Sequence, residues 1–241
     1  MRGIPDADHE ADLAVFYDRQ APVRNTRALT PHRVECRDWF IRLLKSEHRH
    51  SVFELGCGTG VEGVEFVRAG LHYTGVDLSS ESVHLARSAG LDATVASGRS
   101  LPFPDAVFSA AWTMSTLLHV PNSGIHDVVR ELVRVTAPGA PIAVGLWSGE
   151  DDEVLNPEDL EEPRRFFSRR SDETVQRIFG EHGSVEHFRT WPEGVGVESG
   201  PGAGNWSQHY QFLILRTPSP APAPPHPTRS QMRSFPALRT T

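Results

Sequence analysis

The chain has 241 residues, enough for one folded α/β domain, and a formal net charge of −7 with no stripe of Lys and Arg, which argues against a nucleic-acid partner. No apolar run approaches the ~20 residues that span a bilayer, and no signal-type segment is visible, so no membrane contact is expected. The two cysteines, Cys36 and Cys57, lack the spacing of a metal site and fit a reducing compartment, which predicts a cytoplasmic protein without a metal.

The N-terminal part, about residues 10–46, is predicted to form a helical cap. Residues 1–12 are polar and charged, and we expect them to be frayed. One helix ends at Arg24 and carries Tyr17. A second begins near Pro31 and has apolar residues at the spacing of a helix with one buried face, so it is interpreted as scaffold.

The run Val52-Phe-Glu-Leu-Gly-Cys-Gly-Thr-Gly60 predicts a strand, a glycine-rich turn and the start of a helix. Glycines at alternate positions allow a tight turn and close approach to a ligand, and the first helical turn offers unpaired N–H groups. The dinucleotide fingerprint would need glycine where this chain has Val61. Glu54 would repel a pyrophosphate but could hold a cation, so the run predicts a ligand that is cationic near its middle.

This run resembles motif I of the class I S-adenosylmethionine-dependent methyltransferases, and the resemblance covers most of residues 50–147. Further matching stretches follow in the family's order: Tyr73–Ser79, Leu101–Asp105, Leu117–Val120 and Arg134–Gly139. The resemblance implies an α/β fold with a doubly wound, seven-stranded, mostly parallel sheet of order 3-2-1-4-5-7-6. It also implies S-adenosylmethionine as cofactor and methyl transfer to a small molecule as the reaction.

Strands and helices are predicted to alternate as far as residue 147. After the first strand, the predicted strands are residues 71–76, 91–96, 105–113, 140–147, 185–190 and 208–216. The charged segment 153–171 is expected to cover the substrate. Residues 1–216 are thus predicted to form the methyltransferase domain, and the Pro-rich residues 217–241 a disordered tail.

The resemblance also implies the residues of the cofactor site. Asp77 ends the second strand, where an ionised acid can accept both hydroxyls of a ribose. The family's usual acid near the adenine is replaced by Ser97, so a hydroxyl or backbone groups are expected there. Tyr17 lies in a stretch similar to the family's Tyr-Asp-x-x-Ala opening, whose aromatic covers the cofactor. The full predicted set is Tyr17, Glu54, Gly56, Cys57, Gly58, Gly60, Asp77, Leu78, Ser97, Gly98, Arg99, Thr113, Met114 and Ser115.

Methyl transfer disperses the charge on sulfur, so the site mainly aligns donor and acceptor and excludes water. A base is needed only when the acceptor carries a proton of high pKa. His119, shortly after the fourth strand, is the first candidate, because imidazole titrates near neutrality. A structural histidine explains the position equally well. His209 is the second candidate.

The acceptor is predicted to be a small aromatic or heterocyclic metabolite methylated at O, N or C, because the chain offers no added domain or basic stripe to grip a macromolecule. Three alternatives stay open. One is a protein or RNA methyltransferase. Another is a nicotinamide oxidoreductase, disfavoured by Val61 and Glu54. The third is a non-catalytic cofactor-binding protein of the same fold, suggested by Ser97 and Ser109, which replace family acids.

Overall fold

The computed structural model describes residues 6–191 and 209–219, with side chains from His9 onward. Six helices and nine strands lie in these ranges, and they are numbered here in chain order. The helices are α1 (Asp6–Arg24), α2 (Pro31–Ser46), α3 (Val61–Arg68), α4 (Ser80–Ser88), α5 (Ile125–Val135) and α6 (Asp172–Gly180), with a 3-10 turn at Leu117–His119. The strands are β1 (Ser51–Leu55), β2 (His72–Asp77), β3 (Ala93–Val95), β4 (Ala111–Met114), β5 (Pro141–Trp147), β6 (Asp152–Leu155), β7 (Phe166–Arg169), β8 (Ser184–Trp191) and β9 (Tyr210–Arg216).

Seven strands form one sheet in the order β3-β2-β1-β4-β5-β9-β8. Strands β1 to β5 are parallel, and β9 is antiparallel to both of its neighbours. Counted in chain order within this sheet, the order is 3-2-1-4-5-7-6, so the predicted α/β fold is confirmed. Strands β6 and β7 pair only with each other, in a separate antiparallel sheet.

Apolar side chains cover both faces of the sheet, as expected of parallel strands buried on both sides. One layer includes Val128 and Leu132 of α5 and Ile178 of α6. The opposite layer includes Phe40 of α2 and Phe66 of α3. The apolar positions of α5 and α6 recur along one side, so each of these two helices buries one stripe and exposes its charged residues. This double layer leaves the carboxyl ends of the strands as the edge available to a ligand.

Two predicted boundaries near the ligand-binding edge are wrong. Helix α1 begins at Asp6, although residues 1–12 were expected to be frayed. The ring of His9 anchors this first part, because it is buried and its Nε2 donates a hydrogen bond to the carbonyl of His119. Strand β4 begins at Ala111, not at residue 105, because the chain turns at Ala106 with a φ of +56°. Residues 1–5 lie outside the described ranges.

The domain extends past residue 216, where its end was predicted. Thr217 is buried, its N–H donates to the carbonyl of Ala140, and its hydroxyl donates to the carbonyl of Ala137. The same hydroxyl accepts the N–H of Ala140 at 3.0 Å. Thr217 therefore belongs to the folded domain. The predicted loop over residues 192–205 and residues 220–241 of the predicted tail lie outside the described ranges.

Candidate cofactor and acceptor site

A cavity lies at the carboxyl ends of β1, β2 and β4, under α1 and the segment that joins α1 to α2. The loop after β1 forms its floor. Gly56, Gly58 and Gly60 have φ values of +76°, +52° and +85°, a left-handed conformation that glycine adopts without steric cost. A Cβ at Gly56 would lie 2.0 Å from the hydroxyl of Thr116, whereas a Cβ at Gly58 would meet nothing within 4 Å. The loop thus packs tightly behind and presents open backbone to the cavity.

Asp77 stands beside this loop at the end of β2. One carboxylate oxygen accepts the N–H of Gly58 at 2.8 Å, and the other accepts the N–H of Ser79 at 2.9 Å. Burial raises the pKa of Asp77, and these backbone hydrogen bonds oppose that rise. Because an ionised carboxylate offers about four lone-pair sites, acceptor capacity remains for the hydroxyls of a ligand.

Glu54 lines the cavity from β1 but is almost fully buried. The hydroxyl of Tyr73 donates to its carboxyl at 2.6 Å. Burial raises the pKa of Glu54 well above its ordinary value, and the nearby Glu62 adds to the rise. The protein therefore favours the neutral form of this carboxyl group, and a cation placed beside it would favour the charged form.

His119 and Tyr17 form a hydrogen-bonded pair at the cavity wall. Nδ1 of His119 lies 2.8 Å from the carbonyl oxygen of Phe166, which can only accept, so Nδ1 carries the proton. Nε2 therefore accepts the hydroxyl proton of Tyr17 at 2.7 Å. Burial lowers the pKa of His119 to about 3. Both ring nitrogens are engaged, so the imidazole holds the Tyr17 hydroxyl in one orientation and leaves the phenol oxygen able only to accept.

Three arginines that the predicted site did not include also line the cavity: Arg24, Arg27 and Arg33. Arg33 of α2 donates from Nε to Glu62 at 2.7 Å. Arg24 of α1 places its guanidinium 4.8 Å from the ring centre of Tyr17. The helical period could have revealed Arg24, because it follows Tyr17 by two turns on the same face.

Most of the predicted site residues come together in this one cavity. Its lining includes Tyr17, Glu54, Gly56, Cys57, Gly58, Asp77, Leu78, Gly98, Arg99, Met114, Ser115 and the base candidate His119. They come from α1, β1, β2 and the segments after β3 and β4, which are far apart in the sequence. The carboxyl-end edge of the sheet brings them together.

Four predicted residues lie outside the lining. Thr113 is fully buried within β4, and a Cβ on Gly60 would meet Leu91 at 2.3 Å, so both positions face the protein interior. The hydroxyl of Ser97 donates to Glu10 at 2.9 Å. Nε2 of His209 lies 2.7 Å from a carboxylate oxygen of Asp172. These positions are separated from the cavity by their own packing and partners.

Two further properties concern the described parts of the chain. No helix there is both long and apolar enough to cross a membrane. Within residues 6–191 and 209–219, no group of three or more His, Cys, Asp or Glu side chains is arranged to hold a metal ion.

The sheet order and the glycine loop at its carboxyl edge define the class I methyltransferase fold. A family model described as a methyltransferase domain matches residues 52–139. Residues 52–139 therefore carry a methyltransferase domain of the class I, S-adenosylmethionine-dependent type, whose cofactor is S-adenosylmethionine.

One curated relative is 27-O-demethylrifamycin SV methyltransferase of Amycolatopsis mediterranei, 30% identical over 103 residues, or 39% of this chain and 37% of the relative. The chain spans about a third to a half of the length of the curated relatives it matches. Among solved structures, a Burkholderia thailandensis 1,6-didemethyltoxoflavin-N1-methyltransferase aligns with a TM-score of 0.68 at 15% identity, covering 91% of this chain and 93% of that one. The [4+2]-cyclase SpnF aligns with a TM-score of 0.63 at 20% identity, covering 88% and 97%.

The residues in the cavity fit this cofactor. Gly58 has no side chain, and the space that a Cβ at this position would enter is open. A ligand can therefore approach the backbone of the loop there. Asp77 supplies the acceptor that a ribose diol needs. The buried carboxyl of Glu54 lies in the same lining, where a sulfonium charge would stabilise its ionised form.

Proposed function

We propose that this protein transfers a methyl group from S-adenosylmethionine to an O, N or C nucleophile of a small aromatic or heterocyclic metabolite in the cytoplasm. The observation that carries the proposal is the open loop at Gly58 with the Asp77 carboxylate hydrogen-bonded to it. The bound cofactor would supply an electrophilic methyl group on its sulfonium.

The protein's own part in this reaction is to bind, orient and exclude water. The loop backbone and Asp77 hold the ribose end, and α1 covers the cavity. Tyr17 presents an oxygen that can accept but not donate, because its proton is directed to His119. That oxygen can orient an acceptor O–H or N–H group. His119 acts by fixing Tyr17, and the engagement of both its ring nitrogens argues against direct removal of a proton from the acceptor.

A small acceptor is supported by the contribution of α1 to the site. Helix α1 lines the cavity, and its Tyr17 is hydrogen-bonded to His119, which follows β4 in the same lining. The hydroxyls of Ser115 and Tyr210, 3.2 Å apart, add polar groups beside the β4 end. Two similar proteins, the rifamycin and toxoflavin methyltransferases, are named after small-molecule substrates. This supports a small acceptor for the present chain as well.

A second candidate function is a different reaction on the same fold. The solved structure of a [4+2]-cyclase aligns over 88% of this chain. A chain of this fold can thus carry out chemistry other than methyl transfer. In that case the cavity would bind the cofactor without consuming it, and turnover would release no S-adenosylhomocysteine.

Ligand-dependent thermal stability tests the proposal. A ligand that binds only the folded state stabilises it by about 2.7 kcal/mol at a hundredfold excess over its dissociation constant, so S-adenosylhomocysteine should raise the melting temperature. NAD should not, because Val61 stands where the dinucleotide fingerprint needs a glycine. Absence of a shift with both S-adenosylmethionine and S-adenosylhomocysteine would refute the cofactor site. Release of S-adenosylhomocysteine in an acceptor screen separates methyl transfer from the cyclase-like alternative.

A further inference from the structure

Arg24 is a charged residue of the cavity lining whose side chain is not fully satisfied by the described part of the chain. Its Nε atom is buried and has no hydrogen-bond partner among the residues that the structure describes. Its guanidinium lies over the ring of Tyr17, 4.8 Å from the ring centre. Burial raises the pKa of Asp77, and the attraction to Arg24 is among the causes that oppose this rise, so the guanidinium also lies within electrostatic reach of the predicted ribose site.

Four other charged groups of the lining have partners in the described residues. The partners are Glu62 for Arg33, Glu10 for Arg99, the Tyr73 hydroxyl for Glu54 and two backbone N–H groups for Asp77. A buried cation loses the stabilisation that water gave it. Contact with the face of an aromatic ring replaces only part of that stabilisation. A partly buried guanidinium in a cavity is therefore matched to an anion that enters with a ligand.

The shape of the guanidinium narrows the kind of anion. Its planar fork of N–H donors matches the two oxygens of a carboxylate, and such charge-assisted pairs are stronger than neutral hydrogen bonds. Resting on the cofactor function proposed above, we propose that Arg24 binds the carboxylate of a ligand in this cavity. Two ligands carry this chemistry: the methionine part of the cofactor, and an acceptor that is itself a carboxylic acid.

Calorimetric titrations of the full chain distinguish the two sources. S-adenosylhomocysteine carries the amino-acid carboxylate, and 5′-methylthioadenosine lacks it. If Arg24 binds the cofactor, Arg24→Gln should lower the affinity for S-adenosylhomocysteine at least about tenfold and leave the affinity for 5′-methylthioadenosine unchanged. Arg24→Lys should restore part of the lost affinity. If Arg24 binds the acceptor, Arg24→Gln should bind both nucleosides normally. The wild type saturated with S-adenosylhomocysteine should then bind benzoate at least about tenfold more tightly than benzamide, and Arg24→Gln should lose that preference.

The matched control is Arg19→Gln, on the same helix but outside the cavity lining. It should behave as the wild type with every probe, and melting curves of all variants check the fold. Normal nucleoside affinity in Arg24→Gln, together with no benzoate preference in the wild type, would overturn the role of Arg24 and leave the proposed function intact. A wild type that binds neither nucleoside would overturn the proposed function, and the role of Arg24 with it.

Discussion

Asp77 combines two tasks in one carboxylate: it holds the loop through Gly58 and, in the proposed site, accepts the ribose hydroxyls. Asp77→Asn keeps one acceptor oxygen for the loop but loses the charge. We expect this variant to bind S-adenosylhomocysteine less tightly by about 1.5–3 kcal/mol, the range for hydrogen bonds to a charged group. The fold should be unchanged. Calorimetry measures the affinity, with the exposed Asp127→Asn on α5 as control. Normal affinity in Asp77→Asn would place the ribose contact elsewhere.

The protonation of His119 can be measured directly. Because burial lowers its pKa to about 3, its ring should stay neutral from pH 8 down to pH 5, with the proton on Nδ1. The chain has 12 histidines. In a nuclear magnetic resonance titration, the signals that are missing from the spectrum of His119→Gln are those of His119. The same chain unfolded in urea should titrate near the ordinary value of about 6.5. A midpoint between pH 6 and pH 7 in the folded protein would restore His119 as a candidate general base.

Single residues also mark the limit of sequence reasoning about the site. Gly58 and Asp77 lie in a motif whose spacing specifies both a turn and a strand end, so their meeting in one cavity could be predicted. The roles of Arg24 and His119 depend on partners far away in the sequence. The engagement of His119 by the Phe166 carbonyl is set by the β6–β7 hairpin, which no local pattern places against the 3-10 turn. Burial and partner choice are properties of the packed structure.

At the scale of elements, α1 closes the cavity through polar contacts with α4. Asp18 accepts hydrogen bonds from the hydroxyl of Ser79 at 2.7 Å and from the N–H of Glu81 at 3.0 Å, at the N-terminus of α4. This carboxylate therefore adds to the capping of α4 and joins it to α1.

Asp18→Ala should loosen this closure. We expect a loss of about 1–2 kcal/mol in the free energy of unfolding, as for other helix caps, and faster dissociation of S-adenosylhomocysteine. Chemical denaturation and stopped-flow dissociation measure the two effects. Asp12→Ala, exposed on the same helix, is the control and should change neither. Unaltered dissociation from Asp18→Ala would mean that α1 does not have to move for the ligand to leave.

The elements themselves were predicted with unequal success, and the reason is physical. Alternating strands and amphipathic helices of the central domain carry their period in the sequence, so the sheet order could be inferred by resemblance. The start of α1 could not, because it is held by one buried ring, His9, rather than by an apolar stripe. The pairing of β6 and β7 escaped prediction because each strand has only four residues, too few to show an alternation of buried and exposed positions.

For the molecule as a whole, the domain boundary makes a prediction about truncation. We propose that residues 220–241 contribute little stability, because their Pro-rich sequence has no apolar face. Deleting them should leave the melting temperature nearly unchanged. Deletion from Thr217 onward should cost about 1–3 kcal/mol, because it removes both hydrogen bonds between Thr217 and the buried backbone of Ala140. Equal melting temperatures for the two truncations would contradict the role of Thr217, and Thr217→Val provides a point-mutation check.

Strand β9 is last in the described sequence and yet lies inside the sheet, between β5 and β8. During synthesis on the ribosome, β5 is made long before its neighbour, so its edge stays open while some 60 further residues are added. That edge presents unpaired backbone and a strand buried on both faces in the finished protein. We therefore expect the nascent chain to be most prone to aggregation during this period, which ends when residues 210–216 pair with β5.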